Sequence, residues 1–245
     1  MPENKLSPEN YYKNYGGWDL GLMYERMKNM GVSEDALKSI REKEKARFLI
    51  LGSATTNNLN QVSKIDQYFR PGKVEQDEVV IIDRNTYPLE EHKKEVDWIE
   101  GKGEDSWSNT PKSTPEFPYP KFEIVQADMR QLPFTDNSFD IVISDYTLNY
   151  LDNIEDVNKF FSQISKALSS DGLLIVSIRG NEKYPYAGIN IPEVANNDVQ
   201  NTNQGGVDVH YLPIQAYIAS ASRNGLTLMN DNLVGNDLCG VFKKQ

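Results

Sequence analysis

Short apolar runs alternate along the middle of the chain with longer segments of helical periodicity. The runs are mostly continuous and rich in β-branched residues, which is typical of strands buried on both faces of a parallel sheet. Five such runs are present, at positions 48–51, 79–82, 122–125, 139–143 and 173–178. The pattern therefore predicts five strands of one sheet, with helices as the connections between them.

The segment between the fourth and fifth runs shows the helical pattern most clearly. Its apolar residues recur at the spacing of one helix face, from Ile154 and Val157 to Phe160, Phe161 and Ile164. The glycine of the following Ser-Ser-Asp-Gly sequence, at position 172, is placed to end this helix. A strand, a helix and a strand of this length form a right-handed βαβ unit. The predicted fold class is therefore α/β, with a doubly wound, mostly parallel sheet.

Two stretches lack such periodicity and are interpreted as irregular insertions on the binding face. Residues 85–120 hold five of the twelve prolines, and residues 179–212 are rich in Asn, Gly and Pro. Beyond them, Pro213 is expected to begin a helix that ends at Asn224-Gly225. Two short strands after that helix predict an antiparallel hairpin at the edge of the sheet.

The length of 245 residues allows one large domain or two small ones. Because a single sheet accounts for the central and C-terminal patterns, we expect one domain over residues 47–245. Residues 1–46 are expected to form an N-terminal helical cover, with Leu37 and Ile40 as apolar contacts of its second helix. No internal repeat is visible.

Charge and composition narrow the class of partner. The chain has 26 Lys and Arg against 36 Asp and Glu, a net charge of −10. This balance disfavours nucleic acids and anionic membranes as partners, because both need clustered cations. One cysteine and two histidines give no disulfide framework and no metal-ligand spacing. Without a signal peptide or an 18-residue apolar stretch in this sequence, a soluble cytoplasmic protein is expected; the oligomeric state is left open.

Candidate chemistry follows the ends of the predicted strands. In an open parallel sheet, ligands bind outside the carboxyl ends of the strands. The residues at these places are Gly52-Ser53-Ala54, Asp83-Arg84, Asp128-Met129 and Asp145. Three of the four strand ends carry an acid, which suggests a ligand with hydroxyl and amino donors spread along the edge, such as an adenosine.

The order of these features resembles the class I S-adenosylmethionine-dependent methyltransferases over residues 47–178. The best-matching stretches are QADMRQLPFTDNSFDIVISDYTLNYL and FFSQISKALSSDGLLIVSI. The resemblance implies a Rossmann-like, seven-stranded sheet and S-adenosylmethionine as the cofactor. It also implies that Asp128 binds the adenine amino group with Met129 beside the ring, and that Asp83, followed by Arg84, accepts both ribose hydroxyls.

The first loop departs from the family pattern. Gly52 matches the first glycine of Gly-x-Gly-x-Gly, but Ala54 and Thr56 stand at the other two glycine positions and Ile50 at the acidic one. Positive φ is costly for a β-branched residue, so the loop is expected to follow a different path. We still assign Gly52, Ser53 and Ala54 to the cofactor. The alternative is a methyltransferase-like binding or regulatory module without catalysis.

Candidates on the acceptor side are more scattered. Tyr15, in the aromatic segment YYKNYGGWD, either lies over the cofactor as part of a lid or packs in the core. Asp145 either orients or deprotonates an accepting group, or caps the following helix. It is also assigned to the cofactor site. His210 is either the base or a structural histidine. His92 either lines an acceptor wall or is solvated.

The nature of the acceptor is inferred from what the fourth strand carries. The Asn-Pro-Pro-Tyr type of motif of nucleic-acid base methyltransferases is replaced here by Ser-Asp-Tyr-Thr at 144–147. Together with the negative charge, this favours methyl transfer to a nitrogen or oxygen of a small molecule. A nicotinamide-dependent dehydrogenase is disfavoured, because no Gly-x-Gly-x-x-Gly follows the first strand.

Overall fold

The computed structural model describes residues 34–52, 58–100, 119–181, 200–204, 207–234 and 237–245. The predictions for Tyr15, Ser53 and Ala54 lie outside these residues, as do most of the N-terminal cover and parts of the two predicted insertions. All statements below refer to the described residues.

Five helices and nine strands are present in the described ranges. The helices are α1 (Glu34–Glu42), α2 (Asn58–Phe69), α3 (Thr86–Ile99), α4 (Ile154–Ala167) and α5 (Ile214–Arg223). The strands are β1 (Arg47–Leu51), β2 (Glu78–Asp83), β3 (Lys121–Gln126), β4 (Phe139–Asp145), β5 (Leu168–Arg179), β6 (Gln200–Gln204), β7 (Val207–Tyr211), β8 (Leu226–Val234) and β9 (Asp237–Lys244). Two 3₁₀ turns cover Val74–Gln76 and Thr147–Tyr150.

Seven of these strands form one sheet in the order β3-β2-β1-β4-β5-β9-β8. Strands β1 to β5 are parallel, whereas β9 pairs antiparallel with β5 and β8 antiparallel with β9. The predicted doubly wound sheet and its antiparallel C-terminal hairpin are both confirmed. The strand order reverses between β1 and β4, so the crevice for a ligand opens at their carboxyl ends.

Helix α4 shows how local sequence fixes the position of β4 and β5. Its N-cap is Asn153, whose side chain accepts a hydrogen bond from the Asp156 N–H at 2.9 Å. Its apolar face is fully buried against the sheet. The helix ends at Ala167 and β5 begins at Leu168 because Leu168 already pairs with Phe139. Gly172 therefore lies inside β5, and the prediction that it ends the helix was wrong.

Both stretches interpreted as irregular contain regular structure. Within 85–120, α3 begins at Thr86 and tolerates its proline because Pro88 lies in the first turn, where no helical partner is needed for the backbone nitrogen. Within 179–212, β6 and β7 form a separate two-stranded antiparallel sheet with Asn201 opposite His210. Its polar composition concealed the alternation that identifies strands.

Helix α1 is fixed to the sheet by one buried arginine. Leu37 and Ile40 are buried on the same face of the sheet as Phe48 of β1, as expected. Arg70, after α2, donates from Nε to Asp77 Oδ2 at 2.7 Å and from Nη1 to the carbonyl oxygen of Ile40 at 2.6 Å. The chain entering β1 is therefore held by hydrogen bonds as well as by apolar contacts.

Candidate functional site

The carboxyl ends of four neighbouring strands bring the predicted cofactor residues together. Along the edge of the sheet, β3 ends before Asp128, β2 ends at Asp83, β1 ends before Gly52 and β4 ends at Asp145. Leu51 of β1 is in register with Ile82 of β2 and with Ser144 of β4. Gly52, Asp83 and Asp145 thus stand at the same level, side by side. The strand ends that were predicted to carry the ligand site therefore lie together at one edge of the sheet.

Gly52 adopts a conformation that other residues rarely take. Its φ is +61°, and its N–H donates to the carbonyl oxygen of Ile82 at 2.9 Å. A Cβ at this position would stand 2.5 Å from Cγ2 and 2.7 Å from Oγ1 of Thr147. Thr147 in turn donates from Oγ1 to the carbonyl oxygen of Leu51 at 2.9 Å. The turn after β1 therefore requires glycine, and Thr147 holds it from the β4 side.

Asp83 is a buried carboxylate at the centre of the edge. Its Oδ1 accepts a hydrogen bond from the backbone N–H of Asn85 at 2.8 Å, just before α3 begins. Burial raises the pKa of Asp83, while the Asn85 hydrogen bond and the Arg84 charge act in the opposite direction. The exposed Arg84 follows it directly. Asp83 therefore fixes the turn that precedes α3 and also places a carboxylate at the edge of the sheet.

His92 supports Asp83 from inside the protein. It lies on α3, its side chain is buried, and its Nδ1 is 3.9 Å from Oε2 of Glu95. Its charge, when present, lowers the pKa of Asp83. The solvated interpretation of His92 is therefore wrong, because the helix that the prolines seemed to forbid turns this side chain toward the core.

Asp128 is paired with an arginine that the sequence analysis did not single out. Arg130 donates from Nε to Asp128 Oδ1 at 3.0 Å and from Nη2 to Oδ2 at 2.7 Å, and its Nη1 reaches Asp156 Oδ2 at 3.0 Å. The hydrogen bonds from Arg130 lower the pKa of Asp128. Half-buried Met129 packs against the adjacent apolar core. The Asp-x-Arg spacing in a turn was the signal that could have revealed this pair.

Asp145 is followed by Tyr146, whose backbone conformation is strained. Tyr146 has φ 52° and ψ 9°, a left-handed conformation, and its N–H donates to the carbonyl oxygen of Ser177 at 2.8 Å. Bulky residues adopt this conformation only where the surrounding structure imposes it. Asp145 itself is half-buried opposite Ser177. The 3₁₀ turn beginning at Thr147 replaces a helix at this point.

His210 is brought to the same edge by the small sheet. It lies on β7, and its Nε2 is 3.3 Å from Oδ1 of Asp152. Asn149, in the 3₁₀ turn after β4, donates from Nδ2 to the carbonyl oxygen of His210 at 3.2 Å. The segment carrying His210 is thereby fastened to the segment that follows Asp145.

Further functional candidates at this edge lie beyond β4, where sequence reasoning had singled out only His210. They are Asn149, Arg179 at the end of β5, and Asp237 at the start of β9, together with Tyr146. Only the pairing of β9 with β5 brings Asp237 to Arg179, so no local signal indicated them.

Comparison with known proteins identifies a methyltransferase domain in the central part of the chain. Residues 78–176, from β2 into β5, match the family model described as a methyltransferase domain. This part of the chain is therefore a methyltransferase domain. The match includes Asp83, Asp128 and Asp145, and therefore covers most of the crevice edge. No curated protein matches the chain significantly.

Solved structures agree with the methyltransferase fold at low sequence identity. A Pyrococcus horikoshii OT3 protein is 16% identical, with a TM-score of 0.58 and coverage of 96% of this chain and 98% of that one. A SAM-dependent methyltransferase from Methanosarcina mazei is 11% identical, with a TM-score of 0.58 and coverage of 85% and 96%. An S-adenosylmethionine-dependent methyltransferase from Clostridium acetobutylicum is 12% identical, with a TM-score of 0.55 and coverage of 96% and 99%. These likenesses cover 85–96% of this chain and concern its fold.

Two further properties concern the described residues only. No helix among them is both long and apolar enough to cross a membrane. Within the same ranges, no group of three or more His, Cys, Asp or Glu side chains is arranged to hold a metal ion.

Proposed function

We propose that this methyltransferase binds S-adenosylmethionine along the carboxyl edge of β3, β2, β1 and β4 and methylates a nitrogen or oxygen of a small molecule. The observation that carries the proposal is the placement of two acids, Asp128 and Asp83, on adjacent strand ends beside the left-handed turn at Gly52. This is the edge at which open parallel sheets bind their ligands.

The residues fit the parts of the cofactor in the order of the strands. Asp128 and Met129 are assigned to the adenine, and Asp83 with Arg84 to the ribose. The buried Asp83 carboxylate is a strong acceptor for two hydroxyl donors, since solvent competes little for it. The remainder of the cofactor is assigned to Gly52, Ser53, Ala54 and Tyr15 from the sequence, and the left-handed turn at Gly52 begins the loop that follows β1.

The cofactor supplies an electrophilic methyl group, and the protein supplies alignment of the acceptor with it. Asp145 is assigned the role of orienting or deprotonating the acceptor, since it stands one strand beyond Gly52. His210, fastened over the same edge through Asn149, is the second candidate base. Its Nε2 lies 3.3 Å from Oδ1 of Asp152 and is therefore already in contact with a carboxylate, so that Asp145 is the better candidate base and His210 the better anchor.

Calorimetric titration of the full chain with S-adenosylmethionine and S-adenosylhomocysteine tests the cofactor site. We expect binding by the wild-type chain and a loss of affinity of about tenfold or more for Asp83→Ala, since each lost charge-assisted hydrogen bond costs about 1.5–3 kcal/mol. Asp171→Ala is the matched control, because Asp171 is an exposed acid that pairs with Lys243 outside the crevice.

Two results would contradict the proposal. One is the absence of binding by the intact chain at high concentration. The other is unchanged affinity in Asp83→Ala as in the control, which would assign Asp83 to the turn before α3 alone.

A further inference from the structure

Arg179 stands at the crevice edge next to the strand that carries Asp145. Asp145 of β4 is in register with Ser177 of β5, and Arg179 follows two residues later. Paired residues and residues two apart share one face of a sheet, so Asp145, Ser177 and Arg179 lie on the same face. Two residues of strand span about 6–7 Å, so Arg179 extends past the level of Asp145 at the open end of the crevice.

The guanidinium of Arg179 is held in one orientation by a carboxylate from β9. Nε of Arg179 donates to Oδ1 of Asp237 at 2.9 Å, and the two residues are direct cross-strand partners. The second carboxylate oxygen of Asp237 accepts the hydroxyl of Tyr146 at 2.7 Å. The side chain of Tyr146 thus joins β4 to β9, and this contact helps to hold its left-handed backbone.

The backbone of Arg179 is fixed as well. Asn149 donates from Nδ2 to the Arg179 carbonyl oxygen at 2.8 Å and accepts the Arg179 N–H on Oδ1 at 3.1 Å. One side-chain amide therefore pairs with both backbone groups at the end of β5, as a neighbouring strand would. With its backbone and its Nε both fixed, Arg179 loses little entropy when it binds a ligand.

The outer side of this guanidinium is available. The Arg179 side chain is 40% exposed, and within the described part of the chain Nε is the only side-chain atom of Arg179 that donates a hydrogen bond. The Asp237 carboxylate raises the pKa of Arg179, which keeps the group charged. A charged guanidinium that is held at Nε, and whose terminal nitrogens donate no hydrogen bond to another described residue, matches a two-oxygen anion.

A second polar group on this face also lacks a partner. The hydroxyl of Ser177 is buried and makes no hydrogen bond to any other residue that the structure describes. It lies between Asp145 and Arg179 along the same face. An unpaired buried hydroxyl costs free energy, so its retention beside Arg179 fits a face that is completed by a polar ligand.

We propose that Arg179, oriented by Asp237 and Asn149, binds an oxyanion of the methyl acceptor, either a carboxylate or a phosphate. This inference rests on the proposed function, because it places the acceptor beside Asp145. The position on β5 favours the acceptor over the cofactor: β5 is four strand spacings from β3, about 19 Å, and lies beyond all four strands assigned to the cofactor.

The test follows the Nε–Hε resonance of Arg179 in the ¹⁵N-labelled full chain, free and saturated with S-adenosylhomocysteine. Acetate and inorganic phosphate are titrated separately at constant ionic strength, with chloride as the reference salt. We expect a saturable shift with at least one anion in both forms, and the anion bound more tightly identifies the class of acceptor. Because Arg179→Gln lacks the Nε–Hε group, the variants and the wild type are compared by the backbone amide resonance of Ser177, and Arg179→Gln is expected to lose about tenfold or more in affinity for that anion. Arg223→Gln, altered at an exposed arginine at the end of α5, is expected to lose none.

Each other result counts against the inference. No saturable shift with either anion overturns the site, whatever the variants do. A shift in the free chain that S-adenosylhomocysteine abolishes assigns Arg179 to the cofactor and overturns the acceptor role. If the chain fails to bind S-adenosylhomocysteine in calorimetry, the proposed function fails separately, and the titration of the free chain still decides whether Arg179 binds an oxyanion.

Discussion

Replacing Gly52 by Ala tests the link between the first loop and the turn after β4. The new methyl group would stand 2.5 Å from Thr147 Cγ2, a contact that real Cβ atoms do not make, and its residue would keep a φ of +61°. The left-handed conformation costs an alanine about 1–2 kcal/mol, and forcing an extra methyl into packed surroundings adds about 1–3 kcal/mol. We therefore expect a loss of about 2–5 kcal/mol in the free energy of unfolding.

Gly72→Ala separates these two contributions. Gly72 has a φ of +77° and no atom within 4 Å of its would-be Cβ, so it carries the conformational cost without the overlap. Both variants also restrict the unfolded chain equally, and that effect cancels between them. Urea denaturation should therefore show Gly52→Ala to be less stable than Gly72→Ala by about 1–3 kcal/mol.

A double variant identifies the partner in the overlap. Thr147→Ala removes both atoms that lie under 3.0 Å from the position that the new methyl would take, and leaves the Thr147 Cβ at 3.2 Å. Gly52→Ala combined with Thr147→Ala should thus be more stable than the sum of the single losses predicts. Equal losses in Gly52→Ala and Gly72→Ala, or strict additivity in the double variant, would refute the claim that Thr147 holds this turn.

Three further predictions concern charged groups. Burial raises the pKa of Asp66 to about 9. Between about pH 4 and that value the folded chain therefore holds a proton that the unfolded chain has released, so the free energy of unfolding falls by about 1.4 kcal/mol for each unit by which the pH rises. Urea denaturation should show a shallower fall for Asp66→Asn. The pKa of Asp83 is also raised, and ribose hydroxyls need its ionised form. Calorimetric affinity for S-adenosylhomocysteine should therefore fall as pH drops through that pKa, and Asp83→Asn should be weaker but flat with pH. Arg70→Met leaves the buried Asp77 unpaired and should cost about 3–5 kcal/mol in urea denaturation, against about 0.5 kcal/mol or less for Arg223→Met.

The sequence predicted the sheet correctly for those strands that can be identified from their own apolar residues. The runs at 79–82 and 139–143 became β2 and β4 because both are buried on two faces and need no neighbour to be recognised. The hairpin of β6 and β7 was missed because its strands are polar, so that apolar alternation gave no sign of them. Helix α3 was missed because proline was weighed without its position in the first turn.

The residues of the candidate site also divide into those that the sequence predicted and those that it did not. Gly52, Asp83, Asp128 and Asp145 follow directly from the strand runs, since the carboxyl ends of parallel strands meet at one edge. The partners that adjust these groups were not predictable. His92 acts on Asp83 from the buried face of α3, and Arg130 pairs with Asp128 through the geometry of a turn.

The sequence by itself determined the class of fold and the edge of the sheet at which the candidate site lies, because periodicity and strand ends are local properties of the chain. Tertiary structure alone decided what stands beyond β4. Arg179 and Asp237 are 58 residues apart, and Tyr146 and Asp237 are 91 apart. They meet only because β9 inserts antiparallel beside β5 in one register, and a shift of one residue would turn Asp237 to the opposite face.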